Sequence, residues 1–242
     1  MSTANNIPWK RLTVEAVAIV VSILMAFAID AWWDERQIRI EEQQILHGLK
    51  AEFIVIQKTL ARDKAEHLTG LKFLENLLLE FENGPSENAG SVLDVALLSL
   101  VSPSTTDIGN GTLDALLNSG SVEILQSRKL RAKLAAWPGV IGEVWDDQEN
   151  GAKMVFEIHL PYFISENVAA GAAMSQWHSD WPIPVQSLSN DPDAIKRLLD
   201  DPKFRVLVEV RYGYQRHLTG EFERAILAAE EIVSEIDESI VE

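Results

Sequence analysis

Residues 12–33 read LTVEAVAIVVSILMAFAIDAWW, and the architecture follows from how this stretch is interpreted. About 20 predominantly apolar residues carry a helix across a hydrocarbon core of ~30 Å. This stretch supplies 22, of which residues 16–29 form an uninterrupted uncharged run of 14. Glu15 and Asp30 bracket that run at the two levels where a carboxylate can reach headgroup water. Trp9 on one side and Trp32 and Trp33 on the other sit where an aromatic belt belongs, with Lys10 and Arg11 just before the span. The expectation is a single transmembrane helix. Two other readings compete. Ala26-Phe27-Ala28 fits a signal-peptide cleavage site, but cleavage leaves two tryptophans at the mature start. A buried helix of a soluble core is seldom apolar on every face for so long.

At 100° per residue the span divides into two faces. Glu15, Ala18, Ser22, Ala26 and Asp30 share one stripe, in which Ala18, Ser22 and Ala26 make a small-xxx-small series. Such a series lets a second helix backbone come close, and ionisable groups in spans face protein or water rather than lipid. Val17, Val20, Val21, Leu24 and Phe27 lie opposite and suit lipid. The stripe is therefore the expected contact with another transmembrane protein or a second copy of the chain. The competing reading is that alanine is common in spans and the two acids merely reach for the interfaces.

The rest of the chain is acidic. Lys10 and Arg11 balance Glu15 and Asp30, so residues 34–242 carry the whole net charge of −16. That charge argues against nucleic acid and against lying flat on anionic lipid. With no cysteine, disulfides, zinc–thiolate sites and thiol catalysis are excluded. Arg36 and Arg39 beyond the span nearly balance Lys10 and Arg11 before it, so the positive-inside count is close to even. The short N-terminal side favours a cytoplasmic leader (residues 1–11), a span (12–33) and a translocated soluble domain (34–242). The expected location is a bacterial inner membrane, with the domain in the periplasm.

Residues 34–82 continue the helix, with apolar side chains at Ile38, Ile45, Leu49, Phe53, Ile56, Leu60, Leu71, Leu74 and Leu78 at the helical period. Gly48 and Gly70 are weak points within it, and Asn83-Gly84-Pro85 stops it. Short helices are predicted at 91–102 and 112–118. Ser127 caps a longer helix with Leu130, Leu134, Trp137, Ile141, Val144, Gln148, Ala152, Val155 and Tyr162 on one face, which Pro138 and Pro161 should kink or break. Residues 166–191 read as a loop. A short helix starts at Pro192, and Asp201-Pro202 opens the last long one. Its stripe runs Phe204, Val208, Arg211, Gln215, Leu218, Phe222, Ile226, Ala229, Val233, Ile236 and Ile240. The alternation in FRVLVEVRYGY leaves a strand as a competing reading there. The fold class expected is all-α, an N-terminal transmembrane helix continuing into an antiparallel helical bundle.

Catalytic signatures are sparse. No histidine follows a glutamate by three positions, which a di-iron carboxylate bundle needs. No phosphate-cradling loop and no nucleophile elbow occurs. His217 and Glu221 are one turn apart, as are Glu149 and Lys153, and such pairs are ordinary helix-face contacts. No cofactor and no metal is expected. Trp177, His178 and Trp181 cluster in the irregular stretch as a possible ligand or partner loop, against the plainer reading that the tryptophans plug the end of the core.

SILMAFAIDAWWDERQ resembles the opening of a group of uncharacterised bacterial single-pass membrane proteins. Its landmarks are Glu15, Asp30, Trp32, Trp33, Glu35 and Arg36. TLDALLNSGSVEILQSRKLRAKLAAW, residues 112–137, is similar to a second segment of the same group, and Trp137-Pro138 departs from its usual ending. The resemblance implies a membrane-anchored helical domain and no activity. The function expected is a non-enzymatic, membrane-anchored interaction protein, an accessory subunit or scaffold of an inner-membrane complex. The alternative is a periplasmic sensory or ligand-binding bundle.

Overall fold

The computed structural model describes residues 9–103, 105–168, 187–188 and 191–240, with side chains from residue 13 onward. The chain is all-α, and the described residues contain no strand, FRVLVEVRYGY included. Helix α1 spans Trp9–Asn83 without a break, 75 residues, or ~110 Å at 1.5 Å per residue. Its N-terminal part is long and apolar enough to cross a membrane, and none of the most apolar window is buried against the rest of the chain. Every described position from 13 to 41 is exposed, and burial begins at Glu42. Ile38 is therefore not part of the bundle stripe: it is 49% exposed on a two-turn stalk between the apolar segment and the bundle.

The other helices fold back along α1. They are α2 (Ala89–Val101), α3 (Gly111–Ser119), α4 (Arg128–Met154), α5 (Leu160–Ser165), α6 (Pro192–Asp200) and α7 (Pro202–Ser239). Helix α7 is antiparallel to α1. Its start meets the top of α1 through Arg205 and Glu82, its middle through Gln215 and His67, and its end through Lys50–Asp237 and Gln43–Ser239. Helix α4 also runs antiparallel to α7, with Lys133 paired to Glu231 near the bottom and His217 beside Asp147 higher up. The helical period of each long segment thus becomes a buried seam.

Pro138 does not break α4. Its ring lies on the exposed side, between the buried seam positions Leu134, Trp137 and Ile141. Pro161 does act as predicted. A single π-turn, Val155–His159, precedes it, and the Leu160 N–H bonds the Val155 carbonyl five residues back. Such a bulge lets the chain absorb a proline without losing the helix.

The core is two apolar clusters rather than one. The lower gathers Leu46, Phe53 and Leu60 of α1, Trp137 and Ile141 of α4, and Phe222 and Ile232 of α7. There Phe53 meets Trp137 edge-on at 5.1 Å between centroids. The upper gathers Leu74 and Leu77 with α2, Tyr162, Phe163 and Phe204. Carboxylates along the bundle tie the short helices and connecting segments down. Glu52 accepts from the N–H groups of Thr112 and Leu113 (2.9 and 3.0 Å), capping α3, whose own N-cap residue Asn110 makes no such bond. Glu42 accepts from Gln126 N–H, Asp94 from Leu188 N–H, and Glu80 from Ser86.

Candidate functional site

Between the two apolar clusters the seams turn polar. On α1 the apolar positions stop at Leu60 and resume at Leu74, and the buried faces between are Asp63, His67 and Gly70. Helix α7 contributes Arg211 and Gln215, 5% and 6% exposed. Helix α4 contributes Gln148 and Gly151, and the π-turn contributes His159.

Arg211 organises this layer. Its Nε–H donates to the Ser99 carbonyl at 2.9 Å and its Nη2 to the Ser102 carbonyl at 3.0 Å, with Nη1 at 3.5 Å from the Gly151 carbonyl. Ser99 and Ser102 belong to the last turn and C-cap of α2, where unpaired carbonyls and the negative helix end favour a cation. These acceptors are neutral. Among the described residues no carboxylate pairs with Arg211, and burial pulls its guanidinium down to about 10. Burying an unneutralised charge is costly.

The neighbours feel this charge. Burial first, and Arg211 second, push His67 down to about 4, against the opposing pull of Asp63. Asp63 itself is taken by Arg62 at 2.8 Å. His159 donates from Nδ1 to the Leu100 carbonyl at 2.8 Å and is also pushed down, by burial. Its Nε2 has no partner among the described residues. Gln148 zips to the 105–110 loop, accepting from Thr106 N–H and donating to its hydroxyl. Gln215 donates to the His67 carbonyl at 3.1 Å, while its Oε1 has no partner among the described residues. Close approach here depends on Gly70: a Cβ there would lie 2.5 Å from Gln215 Nε2 and 3.0 Å from Ser99 Oγ.

A cavity of about 480 Å³ opens beside this layer, between α1, α2 and α7. Arg211, His67, Gln215 and Ser102 form its polar side, Phe73, Leu98 and Pro103 its apolar side, and exposed Glu66 stands at its edge. The signal for this site was present in the sequence as polar residues, Arg211, Gln215 and Gln148, at positions of otherwise apolar stripes. Its α1 half is the gap in the apolar series between Leu60 and Leu71.

A second cluster lies on the α4/α7 surface. His217 Nε2 is 3.3 Å from Asp147 Oδ2 and 3.5 Å from Glu221 Oε1, and these three could offer ligand atoms to a metal ion. The Arg224 guanidinium already pairs with Glu221, so a cation has a competitor there.

The residues singled out in the span are all on the exposed apolar part of α1. Glu15, Ala18, Ser22, Ala26 and Asp30 are all exposed, and none of the most apolar window is buried against the other described residues. Ser22 donates its hydroxyl to the Ala18 carbonyl at 2.8 Å. Its polar group is thus satisfied within the helix, and what it offers a neighbour is small size. Trp32 and Trp33 stand 6.3 Å apart between centroids, with the Arg36 guanidinium 5.9 Å from the Trp32 ring centre. Trp9, Lys10 and Arg11 are in the first turn of α1, their side chains outside the described residues. Trp177, His178 and Trp181 also fall outside the described residues.

No family model matches the chain, and neither a curated protein nor a solved structure matches it.

Proposed function

We propose that this is a single-pass protein of a bacterial inner membrane that works by interaction rather than catalysis, as an accessory subunit or scaffold. The N-terminus is cytoplasmic and the bundle periplasmic. The membrane contact is the Glu15/Ala18/Ser22/Ala26/Asp30 stripe, against another transmembrane helix or a second copy. The observation that carries this reading is the continuity of α1. One unbroken helix leads from an apolar segment that is exposed among the described residues into the seam of the bundle. A contact made in the membrane is therefore rigidly coupled to the domain outside it. The resemblance of residues 15–36 and 112–137 to single-pass membrane proteins supports the same reading.

Single cysteines placed at positions 16–29 of the full chain in membranes test it. Crosslinking should follow a helical period with maxima at 18, 22 and 26, and flat reactivity would sink the reading. Ser22→Leu should abolish the crosslinked species, whereas Val21→Leu, on the opposite face, should leave it intact.

A second reading, a ligand-binding bundle, is favoured by one observation: the cavity beside an unneutralised buried arginine.

A further inference from the structure

We infer that the cavity beside Arg211 is a binding site for a small organic carboxylate with an apolar body and a hydrogen-bond donor on the carbon next to the carboxylate, an α-hydroxy or α-amino acid. The inference rests on the ligand-binding reading of the bundle.

Three features of the walls select this chemistry. The first is charge. Arginine has five N–H donors, and Arg211 spends three of its contacts on the backbone carbonyls of Ser99, Ser102 and Gly151. These contacts hold the guanidinium in place without cancelling its charge, and leave donors over for a carboxylate. The acids nearby do not fill that role: Asp63 is paired to Arg62, and Glu66 stands exposed at the edge. A carboxylate on a held guanidinium forms a charge-assisted, geometrically specific pair. The net charge of −16 repels anions only weakly at this depth, because surface charges are screened over ~8 Å at physiological salt.

The second feature is a pair of polar atoms in two residues of the same wall, Gln215 Oε1 and Ser102 Oγ, both closed off from solvent and without a partner among the described residues. Buried polar atoms are nearly always paired. The Gln215 oxygen can only accept, so its missing partner is a donor, and Ser102 can donate to the carboxylate. A hydroxyl or ammonium group beside the carboxylate meets the first need. An ammonium also suits Glu66. The third feature is the apolar side, Phe73, Leu98 and Pro103, which receives an aliphatic or aromatic body. A volume of about 480 Å³ falls in the range of small-molecule sites.

Arg211 also caps α2, and that structural role alone would explain its burial. The test therefore leaves Arg211 in place. Full-length protein in detergent is melted with L-leucine, 2-hydroxy-4-methylpentanoate, 4-methylpentanoate and the neutral leucinamide and 4-methylpentanol. Either or both of the first two should raise Tm by about 5 °C at a hundred-fold excess over Kd. The comparison between them tells amino from hydroxy acid. 4-Methylpentanoate should bind at least about 10-fold more weakly, since it leaves Gln215 unmatched. Leu98→Trp, which fills the cavity from its apolar side, should abolish the shift, with a cooperative unliganded melt and wild-type helical circular dichroism showing that the variant is folded. Ser102→Ala should weaken binding about 10-fold. If the neutral compounds stabilise as well as the acids, the carboxylate assignment is overturned but the ligand-binding reading survives. If no compound, charged or neutral, moves Tm, both fall, and ordered water is what pairs Gln215 and Ser102. A shift that persists undiminished in Leu98→Trp also overturns the site.

Discussion

At the scale of single residues, the central seam holds a histidine that must stay neutral. His67 is held down to about 4 by burial and by Arg211, with Asp63 pulling the other way, whereas an unfolded histidine titrates near 6.5. The folded state therefore refuses a proton that the unfolded state accepts. Its contribution is fully present above pH ~6.5 and is lost as pH falls from there to about 4, below which both states are protonated. The amount at stake is of the order of 3 kcal/mol. Buried His159 acts in the same direction. Denaturant unfolding from pH 7 to pH 4 should show a steep loss of stability, and the slope should be shallower in His67→Gln. Parallel slopes would mean that other groups govern acid sensitivity. Gly70 lies one helical turn away and has a different constraint. A methyl group there meets Gln215 Nε2 at 2.5 Å and Ser99 Oγ at 3.0 Å. Gly70→Ala should gain its usual helix propensity but lose at least as much, about 1 kcal/mol, because the added methyl displaces Gln215 Nε2 from its hydrogen bond to the His67 carbonyl. Thermal denaturation checks the sign.

At the scale of elements, the short helices owe their places to side chains on the long ones. Helix α3 is nine residues long and begins at an Asn110 that makes no side-chain cap. Isolated helices of that length are marginal in water, and Glu52 of α1 supplies the missing acceptor for two of its N–H groups. Glu52→Ala should therefore cost about 1–2 kcal/mol. It should also raise hydrogen exchange selectively at residues 111–119, and uniform protection there would contradict the capping role. Much of this level was legible in sequence. The period of α1, α4 and α7, the Ser127 and Asp201 caps, the stop at Asn83-Gly84-Pro85 and the disturbance at Pro161 all appear in the structure. Pro138 does not break α4, because the seam residues on either side of it, Leu134, Trp137 and Ile141, are buried in the core and hold the helix together, which the local sequence does not state. Ile38 misled because the period continues past the point where the bundle ends.

At the scale of the whole molecule, the chain is a long rod with a bundle packed around its distal half. Among the described residues, both apolar clusters and the carboxylates that hold the short helices and connecting segments lie at or beyond Glu42. A fragment of residues 40–242 should fold without detergent, with helical circular dichroism and a Tm within a few degrees of the full chain. Loss of cooperative melting in that fragment would show that the segment before it supports the bundle.

The sequence by itself determined what depends on order along the chain. A long apolar run and a helical spacing are local properties, so a helix long and apolar enough to cross a membrane, the all-α class and the antiparallel return of the last helix could be read directly. Even the polar layer left a trace, as Gln148, Arg211 and Gln215 within apolar stripes. What only the tertiary structure decided is which of these polar residues meet. Arg211 lies far from Ser99 and from His67 in sequence, and its neighbours include main-chain carbonyls, which carry no residue-specific signature. A buried charge held by backbone leaves no paired acid to find in the sequence, so the cavity became visible only when three helices closed around it.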